Sequence, residues 1–203
     1  MITVGLTGPM GAGKTTVLEV FREMGAKTVD ADLLAKDLMV NDTQLRKRLI
    51  EAFGVETYLP DGTLNKPHLI HQAFHQGQVD TLNAIVHPAV KESTLKQIRV
   101  SEREGVPLFV IEGALLLNHG RPEHFDKVML VLSRRQDQIE RVKERDRQSE
   151  EEISARLEAQ PDFEKLRPLA DVVIENTGTV GELCKKVREV AELWLSEGSA
   201  DVK

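Results

Sequence analysis

The sequence is short of several things, and each shortage removes a class of explanation. It has a single cysteine, Cys184, among 203 residues. No internal disulfide is possible, and such sparse cysteine usage leads us to expect a cytoplasmic, reducing setting. Basic residues are not in excess: 27 Lys and Arg stand against 33 Asp and Glu, a formal charge of −6. Holding nucleic acid by its phosphates requires clustered positive charge, so no nucleic-acid partner is expected. No apolar run approaches the ~20 residues of a membrane-spanning helix, so no membrane partner is expected either. The strand-like pattern "ITVGLTG" starts at Ile2, which leaves no room for a targeting leader ahead of it. Internal repeats and low-complexity linkers are also missing.

What is present is an ordinary globular composition, 40% hydrophobic and 30% charged. Short apolar runs alternate with longer helical patterns. Strands are predicted at 2–7, 26–30, 107–113, 127–132 and 171–176. They are apolar on both faces, as buried parallel strands are. Helices are predicted at 14–24, 31–39, 43–53, 66–75, 79–104, 135–146, 150–159 and 179–196. Such alternation predicts a doubly wound α/β fold with a five-stranded parallel sheet between helical layers. Gly25 suits a helix end, and Ser149 with Glu152 forms a capping-box signature. The "HP" dipeptide at 87–88 should break its helical pattern, because a residue before proline avoids the helical region. Residues 55–104 and 134–168 contain no good strand. They are expected to be a helical insertion and a mobile lid around a core of 1–54, 105–133 and 169–203.

Residues 8–15, "GPMGAGKT", fit the phosphate-loop pattern G-x-x-x-x-G-K-[ST], with a strand before and a helix after. Gly8, Gly11, Ala12 and Gly13 let backbone N–H groups crowd around a phosphate. The following helix adds its unsatisfied N–H groups and its positive dipole end. Lys14 is placed to reach the β- and γ-phosphates, Thr15 to put its hydroxyl on Mg²⁺, and Thr16 to touch an α-phosphate. The ligand is therefore a nucleoside triphosphate. The motif by itself does not separate a kinase from a GTPase or a motor ATPase.

A second stretch, "VDAD" at 29–32, sits at the carboxyl end of the second strand, where ligands gather in open parallel sheets. Asp32 there could accept the proton of an attacking alcohol and help hold Mg²⁺. Asp30 suits a helix N-terminus, a role open to Asp32 as well. Thr7, at the last position of the first strand, is counted with the acceptor side. Glu112, ending the third strand, fits either a metal-orienting carboxylate or a solvent-exposed strand end.

"GLTGPMGAGKTT", "VDAD", "LNAIVHP", "RVKERD", "EAQ" and "ADVVIENTG" occur in this order. Together they resemble the dephospho-CoA kinase family over nearly the whole chain. The resemblance implies a nucleotide-binding core, a helical CoA-binding insertion and a lid. It also implies MgATP-dependent phosphorylation of the ribose 3′-hydroxyl of dephospho-CoA. By position, Asp32 matches the family's catalytic carboxylate, and Lys14 and Thr15 match its phosphate-loop residues. Arg141 or Arg145 matches its lid arginine, and Asn176 lies near its adenine site. His87 borders its CoA-binding region. The chain departs from the family's usual residues at Pro9 and Met10, in "GALLLN" at 113–118, and in "PDFEKL" after "EAQ".

Arg141 and Arg145 are four apart on a predicted helix, where like charges repel unless an anion lies between them. His68, His71 and His75 share one helical face but lack the further ligands of a tetrahedral metal site. Phe163 suits either stacking on adenine or a packing contact at the lid hinge. Trp194 and Cys184 are expected to pack. Rival readings are a nucleoside or nucleoside-monophosphate kinase and a GTPase-like switch. The second would need a guanine-reading Asn-Lys-x-Asp, which the sequence lacks. The sequence does not fix an oligomeric state.

Overall fold

Five β-branched, apolar segments pair into one parallel sheet: β1 (Ile2–Thr7), β2 (Lys27–Asp30), β3 (Leu108–Glu112), β4 (Lys127–Leu132) and β5 (Val172–Glu175). Their order is β2-β3-β1-β4-β5. The computed structural model describes residues 1–118 and 120–200, apart from the side chains of residues 74 and 198–200. The predicted strands match those found to within one residue at each end. The chain forms two compact units. One comprises Met1–Asp30 and the chain from Val100 onward; the other is Ala31–Arg99.

In the first unit, β1 is the middle strand, paired to β3 on one side and β4 on the other. Helix α1 (Lys14–Glu23) and helix α8 (Val180–Ala200) cover one face of the sheet. Their contact buries Val17, Phe21, Val187 and Trp194 against Val4, Leu6, Met129 and Val131. Cys184 packs at the border of this cluster. Side chains alternate along a strand, so the neighbouring β4 residues Leu130 and Leu132 face the other way. They meet Phe163 and Leu166 from a 3₁₀ segment, Phe163–Leu169. Phe163 is therefore a core residue beneath the sheet, which favours the packing reading over adenine stacking.

Helices α6 (Arg135–Asp146) and α7 (Glu150–Glu158) also belong to this unit. Ile139 and Val142 pack on Ile153 and Leu157. The predicted capping box is present: the Ser149 hydroxyl accepts from Glu152 N–H, and the Glu152 carboxylate accepts from Ser149 N–H.

The second unit is helical: α2 (Ala31–Asn41), α3 (Thr43–Phe53), α4 (Lys66–Ile70) and α5 (Val79–Arg103). Leu45, Leu49 and Phe53 of α3 pack on Leu69, Ile85 and Val86. That shared cluster groups residues 31–54 with the following helices, so the unit begins before the expected boundary at 54/55. The Asp42 side chain caps α3 by accepting from Gln44 N–H and Leu45 N–H. The Arg46 guanidinium lies 4.1 Å from the Tyr58 ring centroid, and Tyr58 donates to Met39 O at 2.6 Å. Burial pushes the Tyr58 phenol above its ordinary pKa.

Two local expectations are corrected. The helix predicted over 66–75 is α4 followed by a π-helical turn at His71–His75. The expected break at His87–Pro88 does not occur, because α5 runs through it. Pro88 removes one helical hydrogen bond, yet Ile85 and Val86 keep that part of the helix in the core.

Phe21 is fully buried at the centre of the larger core. Phe21→Ala should cost about 3–5 kcal/mol by loss of transfer energy and creation of a cavity. Chemical denaturation should show a lower midpoint with an unchanged slope.

Candidate active site

The residues that carry the chemistry follow β1, the middle strand. Gly8 leaves the strand so close to β4 that a Cβ there would lie 2.1 Å from the Val131 carbonyl oxygen. Gly13 is the N-cap of α1 and has φ 103 and ψ 17, left-handed values that side chains rarely allow. A Cβ at Gly13 would also lie 2.5 Å from Asn176 Nδ2. Two of the motif glycines are thus required by space and backbone geometry.

The loop's carbonyl oxygens are held by donors. Lys14 Nζ donates to Gly8 O at 2.9 Å and to Pro9 O at 3.1 Å. Arg141 Nη1 donates to Gly11 O at 3.2 Å. Asn176 Nδ2 donates to Ala12 O at 2.7 Å, in a fully buried contact. Two N–H groups are also occupied: Ala12 N–H donates to Pro9 O, and Met10 N–H donates to Gln160 Oε1 at 2.9 Å. What remains for an anion is Gly13 and the first turn of α1, whose N–H groups have no partner within the helix.

Lys14 also lies 3.5 Å from Glu112 Oε1, both side chains being only 13–14% exposed. Glu112 ends β3 and is in register with Asp30 at the end of β2. Glu112 is thus half-buried beside Lys14 rather than an exposed strand end. Thr15 is exposed in the first turn of α1, and Thr16 is half-buried beside it. Thr7 Oγ1, at the end of β1, and Ser133 Oγ, just beyond β4, are buried with no hydrogen-bond partner among the described residues. Buried hydroxyls normally find one, so this end of the sheet has unsatisfied polar groups.

The two candidate arginines of α6 are placed differently. Arg141 spans from Gly11 O to Asn176 O, at 3.2 and 3.4 Å. Arg145 is turned to its neighbour Asp146, with contacts at 2.7 and 3.0 Å. That pairing raises the guanidinium pKa and, together with Arg156, lowers the Asp146 carboxyl below its usual range. The Arg141 guanidinium, not that of Arg145, touches the loop. Asn176 likewise sits at the loop, its amide held by Ala12 O and its N–H by Leu132 O.

Asp32 and His87 belong to the helical unit. Asp32 lies in the first turn of α2, two residues beyond the end of β2. His87 is within α5. His68 is drawn into structural bonding, its ring 2.8 Å from Phe53 O.

A family model described as dephospho-CoA kinase matches residues 2–182. The chain belongs to the dephospho-CoA kinase family. It is 41% identical to a dephospho-CoA kinase of Salinibacter ruber, over 98% of this chain and 99% of that one. A solved structure from Thermus thermophilus superposes with a TM-score of 0.76 at 29% identity, covering 97% of each chain. A dephospho-CoA kinase structure from Campylobacter jejuni gives 0.61 at 22% identity, covering 94% of this chain and 95% of that one, and supports the fold. As a dephospho-CoA kinase family member the chain is an ATP-dependent phosphotransferase with a P-loop kinase fold.

Sequence reasoning assigned no role to Met10 or Gln160. A signal was available for each. Met10 is the one large apolar side chain in a loop otherwise made of glycine, proline and alanine. Gln160 closes the "EAQ" stretch that helped mark the dephospho-CoA kinase resemblance.

Gly13→Ala should weaken ADP binding at least about tenfold, because the added methyl displaces Asn176 and strains φ. Isothermal titration calorimetry on the folded variant checks this.

Proposed function

We propose that this chain transfers the γ-phosphoryl group of ATP to the ribose 3′-hydroxyl of dephospho-CoA, giving coenzyme A and ADP in the cytoplasm. The observation that carries the reading is the phosphate loop, its carbonyls bonded by Lys14, Arg141 and Asn176, in a chain that matches its relatives along nearly its full length. On binding, Lys14 exchanges its loop carbonyl partners for the β- and γ-phosphate oxygens of ATP. Gly13 and the first turn of α1 contribute N–H donors to the same oxygens.

The acceptor hydroxyl attacks the γ-phosphorus in line with the leaving β-phosphate oxygen. A P–O bond to the alcohol oxygen forms, the bond to ADP breaks, and the hydroxyl proton passes to Asp32. Arg141 places a permanent positive charge beside the loop, where charge builds on the transferred group. Closure of the segment 134–168 excludes water, which would otherwise compete as acceptor. The helical unit, including the His87 region, holds the pantetheine arm, and Thr7 lies on the acceptor side.

The donors also suit Mg²⁺. Among the described residues no group of three or more His, Cys, Asp or Glu could hold a metal by itself. Mg²⁺ does not require one, since it takes one or two protein oxygens and completes its shell with waters and substrate phosphates. Thr15 and Asp32 would hold it, with Glu112 near the loop as an orienting carboxylate. When bound, it neutralises charge on the β- and γ-phosphates.

No described helix is long and apolar enough to cross a membrane. The rival nucleoside or nucleotide kinase reading has less support, because the family match covers the insertion as well as the loop.

A coupled ADP-release assay with dephospho-CoA, nucleosides and nucleoside monophosphates tests the reading. Turnover is expected with dephospho-CoA and contradicted if a nucleotide is phosphorylated in its place. Asp32→Asn should lower kcat about 100-fold or more with ADP affinity retained. An unchanged rate would return Asp32 to helix capping. In the same assay Arg141→Ala should cost about tenfold more in kcat than Arg145→Ala.

A further inference from the structure

The segment 134–168, expected to be a mobile lid, meets the phosphate loop at residues 10 and 11. The Met10 side chain packs on the cluster of Ile139, Val142, Ile153 and Leu157, which holds α6 to α7. The Met10 N–H donates to Gln160 Oε1 at 2.9 Å. A Cβ on Gly11 would lie 2.7 Å from the Gln138 carbonyl oxygen, so the loop and the start of α6 are already at closest approach. Gln138 is itself fixed, its side-chain amide donating to Ser133 O at 2.7 Å. Gln160 follows α7 directly, its N–H bonded to Leu157 O.

These contacts divide the work within the loop. Pro9 has no N–H to orient, and Ala12 N–H is used by Pro9 O. Met10 N–H is a loop donor bonded from outside the loop, and its partner is a neutral amide oxygen two residues beyond the end of α7. Bonding of the Met10 N–H to Gln160 fixes the orientation of the planar Pro9–Met10 peptide. Two peptide groups further along the chain, the Gly11 carbonyl is the one Arg141 holds. Movement of Met10 is thus transmitted to the arginine beside the transferred group.

We propose that Gln160 is a positioning residue for phosphoryl transfer. It couples the seating of the α6–α7 segment to the geometry of the phosphate loop through the Met10 N–H. The proposal rests on the kinase reading above and extends it. Its effect passes through the loop, by its bond to the Met10 N–H. Binding of the acceptor, which uses the helical unit, should be left nearly intact.

Gln160→Met keeps the side chain's length and removes the acceptor. Gln160→Glu restores an acceptor oxygen. The experiment measures kcat, both KM values, ADP affinity by calorimetry and the melting temperature without ligand. Gln160→Met should lower kcat about tenfold and weaken ADP about fivefold, the effect of one lost, partly buried hydrogen bond. The KM for dephospho-CoA should stay within about twofold and the melting temperature within about 2 °C. Gln160→Glu should recover kcat to within about threefold of the unmodified protein. The proposal is overturned if Gln160→Met leaves kcat and ADP affinity unchanged, or if Gln160→Glu is as impaired as Gln160→Met. It is also overturned if activity falls only together with a large drop in melting temperature, which marks a structural role. If the unmodified protein does not phosphorylate dephospho-CoA, the kinase reading fails, and the ADP titrations still decide the role of Gln160.

Discussion

A phosphate loop works only if its backbone carbonyls are kept away from the anion, and in this chain they are bonded by the nearby Lys14 and by Arg141 and Asn176 from distant segments. Gly8 O and Pro9 O are held by Lys14, Gly11 O by Arg141 and Ala12 O by Asn176. With Ala12 O bonded to Asn176, the adjoining Gly13 N–H points the opposite way across its planar peptide. With Gly11 O tied to Arg141 and Ala12 O to Asn176, little reorganisation of the loop remains when charge moves in the transition state. Lys14 differs from the other two donors, because phosphate oxygens would compete with Gly8 O and Pro9 O for its ammonium.

The sheet is what brings those donors within reach. β1 delivers the loop, β4 leads into α6 with Arg141, and β5 ends at Asn176; all three strands are neighbours. The close fit leaves little freedom. Gly8 abuts the Val131 carbonyl, Gly11 abuts Gln138, and Gly13 abuts Asn176. Each glycine of the motif meets a different neighbour, which explains the spacing without invoking the ligand. The lid helices are part of the same packing, since their cluster includes Met10 from the loop.

The strands, the loop and its helix were legible in the sequence because they are written locally. A buried parallel strand reads as an apolar run, and a phosphate loop reads as glycines before Lys-Thr. The contacts that orient the loop were not legible. Asn176 reaches Ala12 across 164 residues, Gln160 reaches Met10 across 150, and Arg141 reaches Gly11 across 130. No local pattern encodes such partners. Phe163 had two readings because an aromatic in a charged segment looks available, whereas the strand alternation that buries it lies far earlier in the chain, at Leu130 and Leu132. Pro88 misled because a local backbone preference gave way to burial of Ile85 and Val86 on the same helix. The choice between Arg141 and Arg145 turned on Asp146, which takes the latter's guanidinium.

The most direct test of a preformed loop is amide hydrogen exchange by NMR, residue by residue, without nucleotide. The Met10 and Ala12 amides should already be protected, being bonded to Gln160 and Pro9, and should change little when ADP is added. If both exchange as quickly as open loop amides and become protected only with ADP, then the ligand assembles the loop, and preorganisation by Lys14, Arg141, Asn176 and Gln160 is contradicted.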